Sequence, residues 1–499
     1  MTDDQRADGL ATEPRDGAAR ERTLVALPPE RAFGVRPSNP GNIAFTVAFI
    51  AVILTFALPS NLLVNLGLYS ETPGGNPLTK FHPTTYTAVL AAWLALYGGR
   101  HSGGMTGLFR DRPALAWSVV LILVSIVYSA LIVGVSGTAF YVETYLGAAL
   151  LLIALETGTE RQLRALGYTI LTFALVNVVI SLMEGKAETH LIPPVMGIVD
   201  KDIEDFRGAA LYTHPLTGAL VTSMALLLAL GMRLRAWMST AVFGALFVGL
   251  LSFGGRSAMA TTILLITAAA LFQVSAGLVT RRLSIGFLTA FIAGSLLLPI
   301  LFIVLTTMTD VGQRIISHLY LDDSAEVRVI QWRVLDYVNL HDVLLGIPSD
   351  RLDLLKVQIG LAKPGADIEN FWLLMFLNLG VVGAPFLIGA LFLLLLHQGQ
   401  RTNTPIGWMM VIATLFICST SNSLGRKTPD LLFLAACMTA LKGFRYTQES
   451  PVGQPERAPA DPSRWTALTT APVETRGRTL ADRPPTRPVG ALLPDPGRP

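Results

Sequence analysis

Charge is scarce in this sequence. Only 15% of its 499 residues are Asp, Glu, Lys or Arg, while 52% are hydrophobic. A soluble domain carries about 25% charged residues. The composition therefore argues against a soluble globular fold. It predicts an all-α polytopic membrane protein, because helices satisfy their own backbone hydrogen bonds in lipid.

Several other features are also missing. The only cysteines, Cys418 and Cys437, both lie in apolar runs, so neither a disulfide framework nor a metal site is expected. No phosphate-binding loop of the nucleotide-binding types is present, which argues against nucleotide chemistry. No basic stripe interleaved with aromatics marks a nucleic-acid partner. The polar first forty residues predict no cleavable signal peptide. We expect no cofactor and no metal.

Apolar runs fill the middle of the chain, with a polar tail on each side. Residues 1–41 and 445–499 are rich in charge and proline and are predicted to be disordered. Residues 42–444 form the transmembrane domain, with about twelve helices of near-spanning length. The predicted spans are 43–60, 84–99, 114–133, 140–155, 166–183, 212–231, 235–252, 257–278, 283–309, 370–396, 405–421 and 430–443.

The short connections predict the orientation, because Lys and Arg cluster on the cytoplasmic side. One set of connections contains ten such residues and the other contains four. The first set holds Arg100, Arg110, Arg112, Arg161, Arg164, Arg233, Arg235, Arg281, Arg282 and Arg401, and the second holds Lys80, Arg256, Arg426 and Lys427. The first set is therefore predicted to be cytoplasmic, as are both termini. The long connections 184–211 and 310–369 then form outer loops.

Four of the arginines on the predicted outer side, where arginine is unusual, are candidates for a shared role. They are Arg207, Arg256, Arg328 and Arg333. The planar guanidinium matches phosphate oxygens in a bidentate way, so we interpret these residues as a phosphate-binding set. The alternatives are a helix-capping arginine at 207, a snorkelling interfacial arginine at 256, and an ordinary surface helix at 328 and 333.

The sequence SFGGRSAM places Arg256 at the outer membrane interface, because the connection between the two neighbouring spans is so short. Gly254 and Gly255 permit a tight turn. Ser257 is a candidate cap for the next helix, whose N-terminal end favours an anion. This turn is the best-placed phosphate site in the sequence.

The two long loops supply the other candidates. The first ends with Arg207, Tyr212 and His214, just before the chain re-enters the membrane. The second contains apolar residues at helical spacing, which predict an amphipathic helix on the outer face bearing Arg328, Trp332 and Arg333. Those apolar residues are Val327, Ile330, Val334, Leu335 and Val338.

Glu369 and Asn370 lie where the second loop meets the tenth span. A carboxylate here is suited to taking a proton or fixing a sugar hydroxyl. Asn370 is equally suited to capping the helix. His214 and Glu369 are therefore the candidate proton acceptors.

Several motifs resemble the O-antigen ligase/polymerase superfamily, most closely its exopolysaccharide polymerases of the Wzy-type, VpsF-like group. The similar segments are GGNPLTKFHPTTY, SFGGRSAMA, EVRVIQWRVL followed by DVLLGIP, and ENFWLLMFLNLGVVGAP. The family's pattern of arginine, ten residues and glycine matches Arg207 through Gly218. The second loop departs from it, because twelve residues separate Arg333 from Gly346.

The resemblance implies a glycan polymerase or ligase in the bacterial inner membrane. Such proteins transfer glycan from an undecaprenyl-diphosphate carrier at the periplasmic face, during exopolysaccharide or O-antigen biosynthesis. A flippase and a chain-length or export system are the implied protein partners. Arg207, Arg256, Arg328, Arg333, Trp332, Asn370 and Tyr212 would bind substrate, and His214, Glu369 and Arg256 would act in catalysis.

Two other functions remain open. A ligase would use the same donor with a different acceptor. A non-enzymatic transporter or flippase of lipid-linked sugar would be expected to show an internal repeat, and none is evident. An ion-coupled transporter would also be expected to carry carboxylates at midplane depth, and none is clear in the sequence.

Overall fold

The computed structural model describes residues 40–70, 79–98, 103–193, 206–232, 234–279, 327, 329–361, 368–421 and 423–444. Helices and loops account for all of these residues, and no strand occurs among them. The all-α prediction is confirmed for this part of the chain. The predicted span 283–309 and nearly all of both predicted disordered tails lie outside the described residues.

The first part of the described chain contains ten α-helices. They are α1 (Pro40–Ala57), α2 (Ser60–Asn65), α3 (Pro83–Tyr97), α4 (Gly104–Asp111), α5 (Pro113–Ile132), α6 (Gly147–Leu155), α7 (Glu160–Ala187), α8 (Pro215–Met232), α9 (Ala236–Phe253) and α10 (Arg256–Val279). A π-helical turn, Tyr141–Leu146, leads directly into α6.

The second part contains five α-helices among the described residues. They are α11 (Leu340–Leu345), α12 (Ser349–Gln358), α13 (Phe371–Thr402), α14 (Pro405–Ser419) and α15 (Asp430–Lys442). Short 3-10 helices lie at Val135–Thr138, Gln331–Tyr337 and Ser423–Gly425.

Five of the described helices are long and apolar enough to cross a membrane: α5, α7, α8, α9 and α13. Shorter apolar helices lie at Gly41–Ala57, Tyr141–Leu155, Arg256–Phe272 and Pro405–Ser419. Lengths and composition of this kind characterise a helical membrane protein. The count of about twelve spans stays a prediction.

Helices α8 and α15 lie at the centre of the bundle. Every residue of α15 from Asp430 to Leu441 is buried, although the helix has only 13 residues. It packs against α6, α7 and α8, while α5 packs along α13 and α1 along α3. A helix that is apolar on all sides belongs inside such a bundle, where neighbouring helices cover every face.

The connections alternate between two ends of the bundle. At one end, here called the loop end, Asn61 donates a hydrogen bond to the carbonyl of Thr213 (3.2 Å), and Lys427 donates to the carbonyl of Lys80 (3.0 Å). At the opposite end, Arg401 donates to the carbonyl of Asp111 (3.0 Å). The loop end carries the connections after α1, α7, α9 and α14. The opposite end carries those after α3, α6, α8 and α13.

A small second core lies at the loop end, formed by residues 327–377. It is joined to α13 where that helix is interrupted at Gly380, whose φ is +62° and ψ −176°. The freed carbonyl of Leu377 accepts the N–H of Ile347 at 2.7 Å. A Cβ at Gly380 would collide with the carbonyl of Leu344, and one at Gly346 with that of Asn378. Both glycines are therefore required where the loop crosses the helix.

The predicted amphipathic helix is present with a different geometry. Residues 331–337 form a 3-10 helix rather than an α-helix. Val334 is fully buried, and Val327, Ile330 and Val338 pack on the same core, while Leu335 is exposed. A 3-10 helix has three residues per turn, compared with 3.6 in an α-helix. Residue 335 is therefore turned away from the face that residues 327, 330 and 334 share.

Candidate functional site

The segment that follows Arg207 is held in place by α7. The buried carboxylate of Glu184 accepts the N–H groups of Ala209 (2.7 Å) and Ala210 (2.8 Å). The side-chain carbonyl of Asn177, about two turns of helix further in, accepts the N–H of Leu211 at 2.8 Å. Three consecutive backbone donors are thus satisfied by two buried side chains, which fixes the path of the chain into α8.

Gly208 allows this segment to approach α7 closely. A Cβ at Gly208 would collide with the side chain and backbone of Ser181. The Ser181 hydroxyl in turn pairs with that of Ser252 at 2.7 Å, near the end of α9. Arg207 is therefore positioned where α7 and α9 both finish.

Arg207 lies against the glycine turn that precedes Arg256. Gly254 has φ +65°, and a Cβ there would lie 3.2 Å from Cδ of Arg207. Gly255 contacts Ala219 on α8 so closely that a Cβ would collide with it. The turn predicted from SFGGRSAM is confirmed, and both glycines serve close approach. Helix α10 begins at Arg256 itself, so Ser257 is a first-turn residue and the prediction that it caps the helix is wrong.

The glycine of the Arg207–Gly218 pattern also has a packing role. A Cβ at Gly218 would lie 2.6 Å from the ring of Phe253 and 3.0 Å from that of Tyr212. The first turn of α8 thus packs directly on the last residue of α9. The spacing brings the Arg207 segment and the Gly254 turn together.

His214 lies one residue before α8. Its Nδ1 accepts the N–H of Leu216 at 3.2 Å, so in the neutral ring the proton resides on Nε2, which is a donor. His214 is solvent-exposed, although protein atoms surround the ring. Desolvation by these atoms, together with the positive charges of Arg426 and Arg207, lowers the pKa of His214 to about 4. His214 is therefore neutral near pH 7, and its orientation suits hydrogen-bond donation better than proton abstraction.

Arg426 is the residue that sequence reasoning missed at this site. It was counted only as an outer-side charge, but the structure brings it close enough to His214 to influence its pKa. Its carbonyl accepts the hydroxyl of Thr144 at 2.7 Å, and the same hydroxyl accepts the N–H of Thr428 at 3.0 Å. The connection between α14 and α15 is thereby anchored to the π-helical turn. Arg207, His214, Arg256 and Arg426 are called the arginine site below.

Glu369 and Asn370 lie at the same end of the bundle, at the start of α13. The buried side chain of Gln331 accepts the N–H groups of Glu369 (2.9 Å) and Asn370 (3.1 Å). The side-chain carbonyl of Asn370 accepts the N–H of Leu373 at 3.0 Å. The capping alternative for Asn370 is therefore confirmed. A role for either residue toward substrate stays a prediction.

The remaining candidates do not form one cluster. Tyr212 is buried among the rings of Phe56, Phe253 and Phe433, and its role toward substrate stays a prediction. Trp332 and Arg333 are exposed on the 3-10 helix, and within the described residues no contact joins them to the arginine site. Arg328 lies outside the described residues.

The arrangement can bind an anion of high charge. Two guanidinium groups flank a neutral imidazole N–H donor, and a third lies in the first turn of α10, a 24-residue helix. Helix N-termini and guanidinium groups both favour phosphate oxygens. No protein-family model matches this chain, and no curated protein sequence matches it. The resemblance to the O-antigen ligase/polymerase superfamily consequently stays a prediction.

Proposed function

We propose that this chain is an inner-membrane polysaccharide polymerase, which joins undecaprenyl-diphosphate-linked oligosaccharide repeats at the periplasmic face of a bacterial membrane. The observation that carries the proposal is the arginine site. Arg207 and Arg426 come from connections more than two hundred residues apart, and both act on His214. Such convergence of positive charge at a membrane-protein surface favours a doubly charged ligand.

The diphosphate of the donor lipid is the ligand proposed for this site. Arg207, Arg256 and Arg426 bind its oxygens, and His214 donates a further hydrogen bond from Nε2. These groups stabilise the negative charge that develops on the diphosphate as it leaves the anomeric carbon. Because the donors are fixed before the reaction, little reorganisation is needed in the transition state.

The proposed topology follows from the connections. The loop end is periplasmic, the opposite end is cytoplasmic, and both termini are cytoplasmic, with about twelve spans in all. The charge distribution of the short connections supports this orientation. The undecaprenyl chain lies in the bilayer beside the bundle, while the glycan extends into the periplasm beside residues 327–377. Trp332, exposed there, is suited to stacking on a sugar ring.

The test is polymerisation in a purified system. Wild-type protein in lipid nanodiscs is supplied with lipid-linked repeats extracted from a strain that lacks this gene, without nucleotide. A ladder of longer lipid-linked glycans is expected, and a double variant with Arg207→Ala and Arg426→Ala should yield none. Arg110→Ala, which removes an exposed arginine at the opposite end, is the matched control. Single repeats that remain unextended by well-folded wild-type protein would contradict the proposal.

Two alternatives give different results in related assays. A ligase transfers the repeat to a lipid A core or a protein and produces no ladder of lipid-linked glycan. A flippase changes the leaflet in which single repeats accumulate when the gene is deleted. Accumulation on the outer leaflet supports the polymerase, whereas accumulation on the inner leaflet supports the flippase.

A further inference from the structure

A small cavity with several polar groups in its lining adjoins the arginine site through two shared chain segments. Its walls include residues 211–213, which lead into His214, and residues 428–429, which follow Arg426. His82, Thr84 and Glu143 line another part of it. Its volume is about 30 Å³, and a water molecule occupies roughly 10–15 Å³ on this measure. The cavity therefore accommodates one or two groups of the size of a hydroxyl, and a whole sugar ring does not fit.

Glu143 contributes the only carboxylate among the described residues that line this cavity. It lies in the π-helical turn before α6, an irregularity that often accompanies functional sites. The hydroxyl of buried Tyr69 donates to both of its oxygens, at 3.1 and 3.0 Å. The ammonium of Lys427 lies 5.0 Å above the ring of Tyr69, which fixes that ring in turn.

The two nearby histidines, His82 and His214, use ring nitrogens in hydrogen bonds within the protein. His82 donates from Nε2 to the carbonyl of Leu58 at 2.6 Å, and its Nδ1 accepts the N–H of Thr84 at 3.2 Å. It caps α3 and is not placed to take a proton from a ligand. The Nδ1 of His214 is likewise occupied by the N–H of Leu216. Among the described residues that line the cavity, Glu143 is therefore the side chain chemically suited to accept a proton released beside the arginine site.

We propose that the cavity receives the attacking hydroxyl of the acceptor sugar and that Glu143 takes its proton. This inference rests on the proposed function. The hydroxyl oxygen forms a bond to the anomeric carbon of the donor, and the bond from that carbon to the diphosphate oxygen breaks. The electron pair of the broken bond goes to the diphosphate at the arginine site, and the proton goes to the Glu143 carboxylate. Glu143 then releases the proton to water at the loop end.

The two sites are adjacent through the chain itself. Residues 211–213 form a cavity wall, and the next residue, His214, belongs to the arginine site. On the other side, Arg426 of the arginine site is followed by Thr428 and Pro429 in the cavity wall. The same two segments therefore border both the arginine site and the cavity, so donor and acceptor groups can meet where the two adjoin. Glu369, the rival acceptor from the sequence, is not among the residues that line the cavity.

The experiment separates turnover from binding. Purified wild-type protein and variants in nanodiscs are assayed for polymer formation from lipid-linked repeats and, separately, for affinity toward undecaprenyl diphosphate. Glu143→Gln is expected to lower the rate by about 10²-fold or more, the usual contribution of a general base. Its affinity for undecaprenyl diphosphate should match that of wild type. Glu143→Asp should retain part of the rate, since it keeps the carboxylate. Glu160→Gln, an exposed carboxylate at the opposite end, is the matched control.

The possible outcomes distinguish failure of the proposed role of Glu143 from failure of the proposed polymerase function. A wild-type rate in Glu143→Gln overturns the role of Glu143 and leaves the polymerase function standing. Loss of polymer formation in Glu369→Gln, with Glu143→Gln active, assigns the proton to Glu369 instead. If Glu143→Gln does not fold, Glu143→Asp is compared with wild type instead. Its carboxylate is displaced by the shorter side chain, so a wild-type rate of polymer formation in Glu143→Asp would also contradict the proposal. Wild-type protein that neither binds undecaprenyl diphosphate nor forms polymer contradicts the proposed function itself.

Discussion

At the end of the bundle opposite the arginine site, a lysine, an arginine and a histidine converge on one buried carboxylate, Glu156. Lys442 and Arg112 approach it to 2.6 and 2.7 Å, and His397 to 3.1 Å. Burial alone would raise the pKa of Glu156, but Lys442, His397 and Arg112 together hold it well below its usual range. The cations here are used internally, to join α5, α6, α13 and α15.

At the loop end the group that the described cations act on is a histidine. Arg207 and Arg426 are positive neighbours of His214, and burial and these charges together keep its ring neutral. Glu184, the buried carboxylate of α7 beneath this segment, accepts backbone N–H groups. The comparison teaches that arginine content alone does not identify a ligand site. The central group also matters: Glu156 is a carboxylate at one end, and His214 is a neutral hydrogen-bond donor at the other.

The largest effect is expected where the cations are used structurally. Glu156→Ala leaves buried Arg112 and partly buried Lys442 without their counter-charge, and loss of one partner of a buried ion pair typically costs about 3–5 kcal/mol. We expect a large fall in thermal stability of the detergent-purified protein. Glu160→Ala removes an exposed carboxylate paired with Arg164 at the same end, and should cost only about 0.3–0.5 kcal/mol. Equal stability of the two variants would contradict the structural role of the Glu156 cluster.

Arg256→Ala should show the opposite behaviour, with folding intact and activity lost. Removal of one donor that stabilises developing negative charge costs roughly 10²–10³ in rate. Polymer formation is measured with purified variant, and thermal unfolding is measured beside it. Arg256→Lys keeps the charge but removes the bidentate fork, so it should recover only part of the rate. Full recovery with lysine would argue against bidentate phosphate binding.

Structural features that depend on residues close together in the chain could be predicted from the sequence. Apolar runs located the long described helices but not the short α2, α4, α11 and α12. The Gly254–Gly255–Arg256 turn was predicted because its glycines and the next helix are adjacent in the chain. The Arg207–Gly218 spacing was likewise a local signal. These features depend on contacts that the chain makes within a few residues or between consecutive helices.

The rest of the site depends on topology that no local pattern carries. Arg426 reaches His214 only because α14 and α15 are packed between distant helices. Glu184 was assigned to a loop, but α7 continues to Ala187 and buries its carboxylate under the Arg207 segment. Tyr212 lies just before α8 in the sequence, but the three rings that enclose it come from α1, α9 and α15.

A smaller effect is expected from substitutions of Asn370, at the loop end. They separate its structural role as a helix cap from a role in binding the glycan. Its side chain caps α13, and Asn370→Ala should cost about 1 kcal/mol of stability. Asn370→Asp keeps a capping oxygen and should retain that stability. Thermal unfolding measures the cap, and polymer formation measures any role toward glycan. A folded Asn370→Asp protein that forms no polymer would show that Asn370 does more than cap the helix.

The smallest effect is expected in the pH dependence of stability, because the ring of His214 retains exposed surface where solvent screens its interactions. Its pKa is about 4 in the folded protein and 6.5 in an unfolded chain. Between these values the unfolded chain binds a proton that the folded protein does not, so the contribution of His214 to stability is complete above pH 6.5 and is lost progressively toward pH 4.

His214→Gln should therefore lose less stability than wild type between pH 7 and pH 5, as measured by thermal unfolding. Arg426→Ala should reduce the pH dependence in the same direction, since it removes one of the positive neighbours that lower the pKa of His214. An unchanged pH dependence in both variants would mean that the arginine site does not hold His214 neutral, and the contrast between the two ends would fail.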